Sequence, residues 1–169
     1  MSVKTHKGYL VGPRIDVVNI VELLHEVGFS QQMWITGTAI VLSESNGYTH
    51  ARCENFIDGV HVSTDFGLAE INVDVKDQTD DLIRKLYDPK QNLERMFQMW
   101  RVRSWKPWHG YTSGIALGPD MKGKYLQRAI WGVMNYQRRL YGLKGVPSPY
   151  ILGGARRLTW WLEHPEAKS

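Results

Sequence analysis

Ser63-Thr64-Asp65-Phe66-Gly67-Leu68-Ala69-Glu70-Ile71-Asn72, together with the upstream Glu44-Ser45-Asn46, is the part of the chain whose reading decides the fold. Glu44 closes an apolar helical run in which Val41, Ile40 and Gly37 lie at i−3, i−4 and i−7 and share its face. A carboxyl placed there loses hydration and sits near the negative pole of the helix macrodipole. Both effects disfavour the ionised form and raise the pKa, so the group could keep a proton to give to a departing oxygen. Asp65 follows a polar Ser-Thr pair able to hydrogen-bond it, and Gly67 lets the backbone turn tightly just beyond. Two carboxyls in unlike surroundings can divide into an acid and a charge stabiliser. The residues alone also allow a solvated glutamate at a fraying helix end, and an aspartate bonded to its own backbone in a hairpin loop.

Working outward, apolar residues at Val17, Ile20, Val21, Leu23, Leu24 and Val27 keep a helical period, with Asp16 as N-cap and Gly28 as stop signal. Ser30 opens the helix that ends at Glu44. Residues 47–64 read as turn and loop, with at most a small hairpin inside 48–72. Thr79-Asp80-Asp81 caps a short helix through Tyr87, and Asp88-Pro89 starts another in which Leu93, Met96, Phe97 and Trp100 form one stripe. Pro107, Gly110, Gly114, Gly118 and Pro119 interrupt the chain before a helix near 120–141. That helix has Leu126, Ile130, Val133, Met134, Leu140 and Tyr141 on one face. A connector at 142–154 and a short Trp160-Trp161-Leu162 helix close the expected order. The class expected is mainly α, of α+β type: a helical bundle with a small hairpin beside the site.

The chain has 169 residues, of which 43% are apolar and 22% charged. This suits one domain spanning 1–169, with 1–14 as an exposed basic arm and 119–169 as a helical extension, and it excludes a disordered chain. No apolar run approaches the ~20 residues of a membrane span, and the start lacks the apolar core of a secretory signal, so synthesis in the cytoplasm is expected. Cys53 is the sole cysteine, so no intrachain disulfide can form. Twenty-one basic against seventeen acidic side chains give a net charge of +4. That balance suits an anionic polymer, whether nucleic acid, teichoic acid or a peptidoglycan sacculus, without choosing among them. His25, His50, His61 and His109 have no metal-ligand spacing, and one cysteine cannot build a zinc site, so structural or surface roles are expected for them. Arg138-Arg139 and Arg156-Arg157 read as solvated helix edges.

Glu44-Ser45-Asn46 and Ser63-Thr64-Asp65-Phe66-Gly67-Leu68-x-x-Ile71-Asn72, in that order, resemble the active-site segment of the lysozyme superfamily. Downstream, Asp88-Pro-x-x-Asn92-Leu, Trp105-x-x-Trp108 and Tyr111-x-x-Gly114 recur as in the phage and bacterial, soluble lytic transglycosylase-like members. The resemblance covers residues 30–118. It implies a lysozyme-like fold and cleavage of the β-1,4 bond between N-acetylmuramic acid and N-acetylglucosamine, without cofactor or metal. Glu44 is then the catalytic acid, and Asp65 the nucleophile or electrostatic stabiliser. Ser45, Asn46, Thr64 and Asn72 would line the cleft floor, and Tyr111 would hydrogen-bond near the acid and the sugar. Trp105 and Trp108, either side of Pro107, would offer faces to sugar rings and exclude water beside Glu44; packing in the core is the alternative. Glu70 stands where the family usually has Gln and adds a third carboxyl beside the substrate. The implied partners are peptidoglycan glycan strands and, in a phage setting as lysin or virion-associated enzyme, other virion proteins. A lytic transglycosylase and a non-catalytic glycan-binding or virion module stay open, and a nucleic-acid-binding domain ranks last.

Overall fold

The structure, a computed structural model, describes residues 2–119 and 123–142. The expected Trp160-Trp161-Leu162 helix, the connector beyond Gly142 and the Arg156-Arg157 pair lie outside these residues. Among the described residues a helical body is formed by α1 (Val17–Glu26), α2 (Trp34–Ser45), α3 (Asp80–Tyr87), α4 (Pro89–Arg103), the single-turn α5 (His109–Thr112) and α6 (Lys124–Tyr141). The sheet is antiparallel, in the order β1 (Lys4–Tyr9), β2 (Arg52–Ile57), β3 (Val60–Phe66), β4 (Ile71–Asp74).

α2 is the central element. Trp34, Gly37, Thr38, Ala39, Ile40, Val41, Leu42 and Ser45 are all buried, so it is enclosed on nearly every side, as a helix with little amphipathic contrast must be. α1 and α6 cover it. Ile20, Val21 and Leu24 of α1 are fully buried, and each such aliphatic side chain contributes about 2 kcal/mol through the water it no longer contacts. The helices approach closely where glycine permits. A Cβ at Gly132 of α6 would lie 2.6 Å from Val17 Cγ2, and one at Gly37 would lie 3.2 Å from Leu24 Cδ1. Three caps follow the sequence signals, whereas Ser30, expected to open the helix of Glu44, heads a 3-10 turn (Gln31–Met33) without a side-chain cap bond and α2 starts at Trp34. Asp16 Oδ1 accepts from Val18 N and Asn19 N, Thr79 Oγ1 accepts from Leu82 N, and Asp88 Oδ1 accepts from Gln91 N in the turn that opens with Pro89.

α2 ends at Asn46, whose φ of +52° is the left-handed cap conformation. Arg14 donates to the Asn46 carbonyl oxygen and to Oδ1, and Arg128 of α6 donates to the same Oδ1 at 2.6 Å. Two cations therefore sit at the negative pole of the helix that carries Glu44.

The α+β class is as expected, and the sheet is wider than a hairpin inside 48–72. Residues 4–9, expected as part of a free arm, form an edge strand paired with β2 from Lys4↔Ile57 to Tyr9↔Arg52. Its side chains are almost all exposed, so no alternation of apolar residues marks it, and Lys4 and Lys7 suit an edge that must not recruit another strand. In α6 the buried face runs through Leu126, Ala129, Ile130, Val133 and Tyr136, whereas Leu140 and Tyr141, expected on that face, are exposed in its last turn.

Candidate active site

Asp58-Gly59, both at positive φ, turn β2 into β3 as a two-residue hairpin. The register then places Asn55 opposite Ser63 and Cys53 opposite Asp65, while β4 places Asn72 opposite Asp65. Side chains alternate across a sheet, so Cys53, Asn55, Ser63, Asp65 and Asn72 share one face. On it the Asp65 carboxylate is clamped from both sides. Asn55 Nδ2 donates to Oδ2 at 2.9 Å and Asn72 Nδ2 donates to Oδ1 at 2.6 Å. Both amides also donate to Ser63 Oγ, at 3.3 and 2.9 Å. Two donors facing two oxygens match a carboxylate that only accepts, and they fix its plane.

Glu44, in the last turn of α2, is half-buried. Gly110 N, in the first turn of α5, donates to its Oε1 at 2.9 Å. Burial pushes the Glu44 carboxyl above its ordinary range, and the negative charge of Asp65 adds to the rise. The Gly110 N–H and the nearby His109 pull the other way without cancelling it. With Oε1 occupied by an N–H donor, Oε2 is the oxygen left free to carry or give a proton. Gly110 cannot be replaced without cost, since a Cβ there would overlap Ser43 Oγ and lie 2.8 Å from Glu44 Oε1.

Glu70 is the third carboxyl. It occupies the end of the Gly67–Glu70 turn, with φ of +43° and its N–H donating to Gly67 O at 3.1 Å. Burial first, then the charges of Glu44 and Asp65, raise it from 4.5 to about 8. The turn is held from behind. Asn92, fully buried on α4, accepts from Ala69 N and donates to Phe66 O and Leu86 O. Trp108 Nε1 donates to Ala69 O at 2.9 Å. Gly67, at φ +76°, has no room for a side chain, because a Cβ would overlap Leu86 O.

Glu44, Asp65, Glu70 and Asn72 are thus brought together, and the other sequence candidates are not. Thr64 is 3% exposed and points away from Asp65, bonded to His61 Nε2 and Gln78 Nε2, because neighbours along a strand face opposite sides. Ser45 is fully buried and its Oγ donates to Val41 O and accepts from Gly47 N, while the Asn46 side chain at the end of α2 is taken up by Arg14 and Arg128. Trp105 and Trp108 are 6% and 3% exposed, so the open faces expected of them are absent. Trp105 stacks on Phe29 in the core, and Trp108 supports the Glu70 turn. Tyr111 is partly exposed with its ring 6.5 Å from that of Trp105, and Gly110, not Tyr111, supplies the hydrogen bond to Glu44.

Asn55, Gly110 and His109 escape a sequence reading. Asn55 could have been found by counting back from the Asp58-Gly59 hairpin signal. However, a bulge after Asn55 shifts the register by one and leaves Val62 unpaired, which hides the pairing. His109, expected in a structural or surface role, lies close enough to Glu44 to oppose the rise of its pKa. Among the described residues no cluster of His, Cys, Asp and Glu is arranged to hold a metal ion, and no helix is long and apolar enough to cross a membrane. No curated protein and no solved structure matches the chain. A protein-family model does. Its match over residues 21–110, just over half of the chain, takes in Glu44, Asp65, Glu70, Asn92 and Gly110, so the chain belongs to the family described as lysozyme-like domain.

Proposed function

We propose that this protein hydrolyses peptidoglycan at the β-1,4 bond between N-acetylmuramic acid and N-acetylglucosamine. The observation carrying this reading is the unlike setting of two carboxyls: Glu44, whose pKa burial raises and which Gly110 orients, and Asp65, clamped by Asn55 and Asn72. Membership of the lysozyme-like family supports a peptidoglycan glycosidase or transglycosylase.

In the proposed reaction Glu44 Oε2 gives its proton to the bridging oxygen as the glycosidic bond breaks, and the leaving sugar departs as a neutral alcohol. Positive charge develops at the anomeric carbon beside Asp65, whose fixed carboxylate stabilises it. Water then attacks that carbon, loses its proton to Glu44 and restores the acid. This division of labour is the standard two-carboxyl scheme, for which lysozyme is the type case.

Digestion of sacculi by the wild type, analysed by mass spectrometry, tests the outcome. Reducing muramyl ends support hydrolysis; anhydro-muramyl ends identify a lytic transglycosylase and overturn the hydrolytic step. Glu44→Gln should lose wall-clearing activity by roughly 100- to 10,000-fold, the usual worth of a general acid. If that variant clears the wall as well as the wild type, Glu44 is not the acid and the mechanism above is wrong.

A further inference from the structure

The Asp65 clamp has a support that lies outside the region matched by the family, on the added edge strand. β1 pairs with β2 so that His6 stands directly opposite Asn55. His6 Nδ1 lies 2.7 Å from Asn55 Oδ1. The orientation of that amide follows from its other contacts. Asn55 Nδ2 is 2.9 Å from Asp65 Oδ2 and 3.3 Å from Ser63 Oγ. Exchanging its oxygen and nitrogen would set the amide oxygen against a carboxylate oxygen, two acceptors with no proton between them. Oδ1 therefore faces His6, and His6 Nδ1 carries the hydrogen and donates.

We propose that His6 is a positioning residue for Asp65, acting through Asn55. Its donation to Oδ1 locks the amide against rotation and polarises it, strengthening the Nδ2–H donation to the Asp65 carboxylate. The register that sets Asn55 opposite Ser63, next to the bulge at Val62 of β3, puts this amide on the same face as Asp65. The tip of the hairpin ties β1 into register, since Val3 N donates to Asp58 Oδ1 at 2.7 Å and Asp58 N donates to Val3 O at 2.9 Å. His6 itself is exposed on the edge strand and fills no core space, so its influence on the site passes through this hydrogen bond. The inference rests on Asp65 being the working second carboxylate of the proposed reaction.

The test compares His6→Val, which keeps a strand-forming residue and removes the donor, with His6→Gln, which restores one, by kcat, KM and Tm on purified peptidoglycan. One lost hydrogen bond of this kind corresponds to roughly a 3- to 10-fold fall in kcat. KM should stay within about twofold and Tm should be unchanged, as expected for an exposed side chain whose contact matters most as charge develops. His6→Gln should recover most of the rate. In an Asn55→Ala background, and in an Asp65→Asn background, His6→Val should cause no further loss. Losses that multiply in the Asn55→Ala background overturn the proposal. So does a fall in Tm with a rate that glutamine fails to restore, because that assigns His6 to strand pairing alone. If Asp65→Asn is inactive and His6→Val is fully active, the positioning role falls and the proposed function stands. If Asp65→Asn retains full activity, both fall.

Discussion

Replacing Glu70 by glutamine should stabilise this protein at alkaline pH and leave its stability nearly unchanged in acid. The reason is the proton that burial and two neighbouring carboxyls keep on Glu70, raising it from 4.5 to about 8. Between those values the folded chain binds a proton that the unfolded chain has released. Stability therefore falls as pH rises across this window: the contribution is complete below 4.5 and lost above 8. The rise corresponds to a ceiling of about 5 kcal/mol, and relaxation around an ionised carboxylate brings the expected penalty to ~2–3 kcal/mol. Glutamine has the same shape, adopts the φ of +43° as readily as glutamate and cannot ionise. Denaturant unfolding at pH 5 and pH 9 reads the effect. The variant should match the wild type at the lower pH and exceed it by ~2–3 kcal/mol at the higher one. At neutral pH the neutral acid already resembles an amide in shape and charge, so wall-clearing activity should persist in the variant. Equal stabilities at pH 9, or a less stable variant there, would refute the buried proton and with it the reading of Glu70 as a substitute amide.

Gly110→Ala should inactivate more than it unfolds. Its methyl group meets Ser43 Oγ and Glu44 Oε1, so activity should drop at least about 100-fold with a stability loss of ~1–3 kcal/mol; a fully active variant would dissolve the assigned geometry. Asn92→Leu removes the partners of Ala69 N, Phe66 O and Leu86 O at a fully buried position. It should cost ~3 kcal/mol or more by denaturant unfolding, and an unaffected midpoint would show that the Glu70 turn needs no such support. Cys53 should be a sluggish thiol. Burial and the charges of Glu70 and Asp65 push it up to about 11, leaving roughly one molecule in ten thousand as thiolate at pH 7. Alkylation of the native protein should be far slower than of the denatured chain, and equal rates would contradict this.

The candidate site groups and their supports are unequally legible in the sequence. Glu44, Asp65, Glu70 and Asn72 sit in short local patterns: an apolar helix stripe ending in an acid, a Ser-Thr-Asp-x-Gly turn, and a fixed offset to an asparagine. The helix caps at Asp16, Thr79 and Asp88 are local too, each satisfied within three residues of its own position. Such features depend on φ, ψ and side-chain spacing along one segment, and the sequence by itself determines them. The supports of the site are not local. Gly110 meets Glu44 across 66 positions, Trp108 meets Ala69 across 39 and His6 meets Asn55 across 49. The first two require segments distant in the chain to pack together, and the third requires the register of β1 on β2; no single segment encodes either. The same reason explains the misplacements. Thr64 and Ser45 adjoin the two carboxyls in sequence, but strand alternation and helix rotation turn them away. Tryptophan carries no mark that separates a buried ring from an exposed one. Local chemistry singled out Glu44 and Asp65; the global packing of α2 under α1 and α6, against a sheet extended by β1, decided their burial, orientation and neighbours.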